Sequence, residues 1–100
     1  MKIAEVDLKT KNKLLKIIHK YLPECRVYLF GSRAKKTSKE GADIDLALDI
    51  GKKINWKVLG DIKDEIEETT IPVFVDVIDV NSVDKKFLEH IKTEWIEWKS

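Results

Sequence analysis

The stretch YLFGSRAKKTSKEGADIDLALD, residues 28–49, sets two hydrophobic runs on either side of a glycine-serine pair and a basic segment. Its reading decides the fold. Arg26 to Phe30 is rich in β-branched and aromatic side chains and stops at Gly31, as a short strand does, and a turn or short helix is expected at Ser32. Ala42 to Ile50 alternates strictly. Ile44, Leu46, Leu48 and Ile50 fall on one face, and Asp43, Asp45, Ala47 and Asp49 on the other, which predicts a second strand with a core face and an acidic face.

Outward from this pair of strands, helices and strands alternate. On the N-terminal side, Leu8, Leu14, Leu15, Ile18, Tyr21 and Leu22 recur at helical spacing among lysines, and Pro23 ends the segment. On the C-terminal side, Asn55 is placed to cap a helix whose stripe is Trp56, Leu59, Ile62 and Ile66, with Pro72 marking its end. Val73 to Val80 reads as a third strand, apolar enough to be buried on both faces. Asn81 or Ser82 is expected to cap a last helix carrying Phe87, Leu88, Ile91, Trp95 and Trp98. That order predicts an α/β fold, a small mixed β-sheet with flanking helices.

With 100 residues, 43% hydrophobic and 37% charged, residues 1–100 are expected to form a single domain with just enough core to fold. The formal net charge of +1 offers no general attraction for nucleic acid or anionic membrane, so electrostatic function must be local. Cys25, the only cysteine, excludes an internal disulfide and a cysteine-based metal cluster, and reads as a packed thiol. No apolar signal region and no run of ~18 apolar residues occurs, so a soluble cytoplasmic protein is expected. His19 and His90 lie among charged residues in helices and read as surface side chains.

The acidic strand carries the chemistry. Asp43 and Asp45, two apart on extended backbone, leave the same face with Cα atoms roughly 6.5–7 Å apart, a spacing that suits hard cations such as magnesium. An amphipathic strand facing water would show the same pattern. Asp76 interrupts the hydrophobic run IPVFVDVIDV, where a carboxylate needs a partner. Beside Asp43 and Asp45 it would form a cluster of three like charges that a divalent cation relieves; near a strand end it would merely accept a hydrogen bond. Asp79 competes for the same role but falls on the opposite face. Gly31 and Ser32 follow a strand, where a glycine lets backbone approach a phosphate, and Arg33, Lys35, Lys36 and Lys39 add cations. A Walker A loop is excluded, because Lys36 and Thr37 stand where it needs glycine and lysine.

Gly31-Ser32, then Asp43-x-Asp45, then Asp76 within a later strand, resembles the nucleotidyltransferase superfamily of the DNA polymerase β type, especially its minimal stand-alone MNT domains, the antitoxins of HEPN/MNT modules. The resemblance implies a polymerase β palm-like fold. It also implies that Gly31, Ser32 and Arg33 bind the nucleotide, and that Asp43, Asp45 and Asp76 are catalytic and hold two Mg2+ ions. The implied reaction is transfer of a nucleoside monophosphate, AMP from ATP, to an acceptor, with a small helical HEPN protein as partner and target in a toxin–antitoxin pair. The alternative it leaves open is a non-catalytic antitoxin that masks its partner while keeping a vestigial nucleotide site. A third reading is nucleic-acid binding through Lys35 to Lys39. Two positions depart from the family pattern: Lys36 stands where glycine is common, and Ala42 where serine often occurs.

Overall fold

The computed structural model describes residues 6–37, 39 and 41–98. Its elements run α1 (Leu8–Tyr21), β1 (Arg26–Phe30), β2 (Ile44–Asp49), α2 (Trp56–Glu67), β3 (Val75–Asp79), α3 (Lys85–Lys92) and β4 (Ile96–Trp98). The strands form one mixed sheet in the order β3-β2-β1-β4, with β1 antiparallel to both β2 and β4, and β2 parallel to β3. The parallel step requires a crossover, and α2 supplies it. Among the described residues, no helix is long and apolar enough to cross a membrane.

The helix ends are set by short polar side chains. Asp7 caps α1 by accepting the Thr10 N–H at 2.8 Å, and Asn55 caps α2 by accepting the Lys57 N–H at 2.8 Å. One sheet face carries Val27, Leu29, Leu46, Leu48 and Val77, which pack against Leu14 and Ile18 of α1 and Ile62 of α2 in a fully buried core. Each such aliphatic side chain contributes about 1.5–3 kcal/mol. The other face is covered over only part of its area. Tyr28, Phe30 and Ala47 bury there against Val80 and Ile91, with the Tyr28 ring stacked 3.8 Å from Trp95 and the Phe30 ring edge-on to Phe87 at 6.0 Å. The supposedly acidic face of β2 is therefore apolar at its middle, where Ala47 is fully buried.

Four expectations are corrected. The last helix does not continue to Trp98: Asp84, accepting the Phe87 N–H at 3.2 Å, caps it, and after Lys92 the chain turns and adds β4 to the free edge of β1. Pairing with β1 overrides helical spacing over these residues, because Val27 opposite Trp98 leaves strand hydrogen bonds that a helix could not satisfy. Trp98 is consequently buried. Trp56, expected in the α2 stripe, is 82% exposed, since it sits at the first helical position, ahead of the turns that contact the sheet. Finally, β3 is an edge strand and only part of it is buried, so Asp76 does not lie in a sealed interior.

Candidate active site

Register brings two of the aspartates together. Asp45 of β2 is the direct partner of Asp76 in the parallel pair with β3, which places their Cα atoms roughly 4.8 Å apart with both side chains on the face away from α1 and α2. Phe30 is the partner of Asp45 on the other side, so the carboxylate pair lies at the edge of the aromatic patch made with Phe87. Asp43 is exposed and stands one residue before β2 begins. Among the described residues no three His, Cys, Asp or Glu side chains converge into a closed metal cage. The acidic centre is a pair, with Asp43 beside it.

The electrostatics agree with that geometry. Burial pushes the Asp45 carboxyl upward first, the Asp76 and Asp43 charges push it further, and the Arg33 guanidinium opposes them. Asp45, half-buried like Asp76, is the member on which the charges of the other two bear. All three side chains carry hard carboxylate oxygens, without histidine or cysteine, the donor type that suits a divalent ion of the magnesium type, and the Asp45–Asp76 pair carries a cost in like-charge repulsion that such an ion would relieve.

Gly31 has a role that sequence spacing did not reveal. Its φ is +78°, and a Cβ added there would stand 2.3 Å from Asp45 Oδ2. Only a residue without a side chain leaves room for that carboxylate and adopts that backbone conformation without strain. Gly31 thus seats Asp45, and it also begins the phosphate-loop candidate. From it the chain makes one helical turn: Lys35 N–H donates to Gly31 O at 3.2 Å, Lys36 N–H to Arg33 O at 3.2 Å, and Thr37 N–H to Ser32 O at 3.0 Å. The last two bonds, with Lys36 at φ 61°, form the Schellman ending in which glycine is the usual residue. The departure at Lys36 is therefore a lysine in a glycine conformation. Ser32 is half-buried at the start of this turn.

Arg33, expected to assist with nucleotide, is also a backbone clamp. Its Nε and Nη2 donate to Ala42 O at 3.0 and 2.6 Å, and Nε also donates to Asp43 O at 3.2 Å, fixing the peptide that carries the first aspartate. A carbonyl acceptor at Ala42 is available whatever the side chain, so alanine in place of serine leaves the clamp intact. Lys35 reaches Glu94 beyond α3 at 3.8 Å, linking the turn to the aromatic side of the site. Asp79 takes no part. It is buried on the opposite face, where its carboxylate accepts from Ile54 N–H and Ser82 Oγ–H at 2.8 and 2.9 Å and from Asn81 N–H at 2.9 Å.

A strand, a tight glycine turn, and an aspartate on β2 paired with one on the neighbouring parallel strand, with Asp43 just before β2, occur together here, and residues 12–97 match the family model described as "Polymerase beta, Nucleotidyltransferase". The chain is a polymerase β-type nucleotidyltransferase. It is 26% identical over 95 residues, 93% of its length and 83% of the relative's, to a probable protein adenylyltransferase MntA of Haemophilus influenzae. Its fold is similar to that of a toxin–antitoxin complex crystallised with AMP-PNP, with a TM-score of 0.74 and 22% identity over 90% of this chain and 73% of that one. It is also similar to a chain of the complex of tri-AMPylated Shewanella oneidensis HEPN toxin with MNT antitoxin, with a TM-score of 0.70 and 20% identity over 92% and 71%. The small mixed sheet with three helices is thus the nucleotidyltransferase fold of these MNT structures.

The expected site residues fall into two groups. Asp45 meets both Asp76, its partner across the sheet, and Gly31, which follows β1, whereas Asp43, Ser32 and Arg33 belong to the flanking segments. Cys25 is the packed thiol expected, its pKa pushed up to about 11 mainly by burial. His90 is exposed, and His19 is half-buried with its ring Nε2 3.0 Å from Cys25 O.

Proposed function

We propose that this nucleotidyltransferase transfers AMP from ATP to a HEPN-type helical protein, as the antitoxin of a toxin–antitoxin pair in the cytoplasm, using magnesium. The observation that carries the proposal is the Asp45–Asp76 pairing with Gly31 packed under Asp45. In this reading Asp43, Asp45 and Asp76 hold two Mg2+ ions, while Gly31 and Ser32 receive the triphosphate through the turn's backbone and Arg33 steadies Asp43. Bound magnesium supplies charge neutralisation on the phosphates and a template for in-line displacement. The remaining work is positioning, since phosphoryl transfer depends on alignment and preorganised charge more than on covalent help from the protein. In the same reading Asp76 also helps to activate the attacking hydroxyl, as pyrophosphate leaves. The likeness to MntA and to MNT chains crystallised with AMP-PNP or with an AMPylated HEPN toxin supports the choice of nucleotide and acceptor.

The test is incubation with α-labelled ATP, Mg2+ and a purified HEPN-type partner. Label should enter the partner, and Asp43→Asn or Asp45→Asn should abolish it while leaving the fold intact by circular dichroism. Labelling that persists in both variants rejects the metal-site assignment. The second reading, masking without catalysis, requires the Asp45→Asn protein to neutralise its partner as fully as the unaltered chain.

A further inference from the structure

The unexplained feature of the surface is Trp56. Its indole is 82% exposed, although Trp95 is half-buried and Trp98 buried. Exposed tryptophan at a groove rim is characteristic of a binding hot spot. It overhangs a concave surface of about 680 Å3 whose apolar lining is Leu22, Ile50, Ile54 and Val58. Lys52 and Lys53 stand on the same rim, and Lys57 follows Trp56 in α2. All three lysines are exposed, and none of their ammonium groups forms an ion pair among the described residues. An apolar floor, one indole and two lysines, Lys52 and Lys53, thus line one groove, with Lys57 next to Trp56 in the chain.

We propose that this groove docks an acidic, amphipathic segment of a partner protein, with apolar side chains on the floor and against Trp56, and carboxylates facing Lys52 and Lys53. Charge complementarity selects the acidic partner. The aliphatic floor selects protein over single-stranded nucleic acid, which would seek several stacking rings where the groove has one. The adjoining hollow shares Leu22 and Ile50 and carries Glu24 and Asp49 against a single cation, Arg26, a net negative lining that disfavours a phosphate backbone continuing along it. A peptide can confine its acids to the lysine end.

The location has a functional consequence. Ile50 lies five residues along the chain from Asp45, roughly 16 Å on extended backbone, and Leu22, Ile50 and Val58 pack with the core on the helix side of the sheet. Asp45 faces the other way. A partner held here leaves the carboxylate face open.

The groove is tested with the full-length chain and a synthetic helical peptide bearing leucines at i and i+4 flanked by glutamates. Trp56 emission should shift to the blue on binding, affinity should fall with added salt, and Trp56→Ala and the pair Lys52→Glu, Lys53→Glu should each weaken binding ~10-fold or more. Trp56→Phe should retain an intermediate affinity. The proposal is overturned by equal binding of the same peptide with lysine in place of glutamate, or by tighter binding of oligouridylate. Unchanged affinity in the variants, or a blue shift produced by raising the protein concentration alone, as a second copy in the groove would cause, overturns it equally.

Discussion

Replacing Gly31 by alanine separates two costs that the structure places at one residue. The first is conformational: φ is +78°, where an L-residue loses about 1–2 kcal/mol. The second is contact, because the new methyl would stand 2.3 Å from Asp45 Oδ2, with Asp45 Cγ at 3.2 Å and Cβ at 3.4 Å. Relief requires the Asp45 side chain to leave its rotamer, at about 0.5–1.5 kcal/mol. The expected loss for Gly31→Ala is therefore about 2–3 kcal/mol by urea denaturation without divalent cation. Gly51 supplies the control, with φ +83° and open space around the Cβ position, so Gly51→Ala should cost only the conformational part. In an Asp45→Ala background the carboxylate is gone and the remaining Cβ lies at ordinary van der Waals distance. There the Gly31→Ala cost should drop to that of Gly51→Ala, giving a coupling of about 1 kcal/mol. An equal cost of Gly31→Ala in both backgrounds would refute the seat that Gly31 provides for Asp45.

Three further outcomes follow from the same structure. Asp79→Ala strands the buried N–H of Ile54 and the part-buried N–H of Asn81 and should lower stability by about 2–3 kcal/mol, while the Asp45–Asp76 face keeps its geometry; a loss under ~1 kcal/mol would contradict its bonding role. Lys36→Gly replaces a left-handed lysine by the residue its conformation favours and should raise stability by about 0.5–1 kcal/mol in the same assay, a fall counting against the Schellman assignment. Cys25, with its thiol pKa raised from 9.0 to about 11, should react with a thiol-specific disulfide reagent at pH 8 only as fast as the chain unfolds. Because the folded pKa is the higher one, the contribution of the neutral buried thiol is complete below pH 9.0 and is lost as pH rises through 9.0 to about 11; an alkaline unfolding curve unaffected by Cys25→Ala would contradict this.

Local signals were legible wherever a residue's role depends on its immediate neighbours. The alternation of Ile44, Leu46 and Leu48, the cap at Asn55 and the stop at Gly31 all act over a few residues, whereas the cap at Asp7 was shown only by the structure. The spacing of Asp43 and Asp45 is likewise a property of one strand. The C-terminal segment was misread for the converse reason. Phe87, Leu88, Ile91, Trp95 and Trp98 satisfy a helical period, and nothing within that segment records that the edge of β1 stands open to receive it.

The amino-acid sequence by itself determined the first three strands and the first two helices in outline, which residue types could bind metal and phosphate, and that they occur in the order of this family, because those properties follow from backbone preference and side-chain type. Only the tertiary structure decided which of them meet. Register, a long-range property of strand pairing, set Asp76 against Asp45 and placed the Asp45 carboxylate in the space that Gly31 leaves empty. The same packing competition exchanged two tryptophans. β1 drew Trp98 into the sheet, and α2, beginning at Trp56, left that ring in solvent beside Lys52 and Lys53.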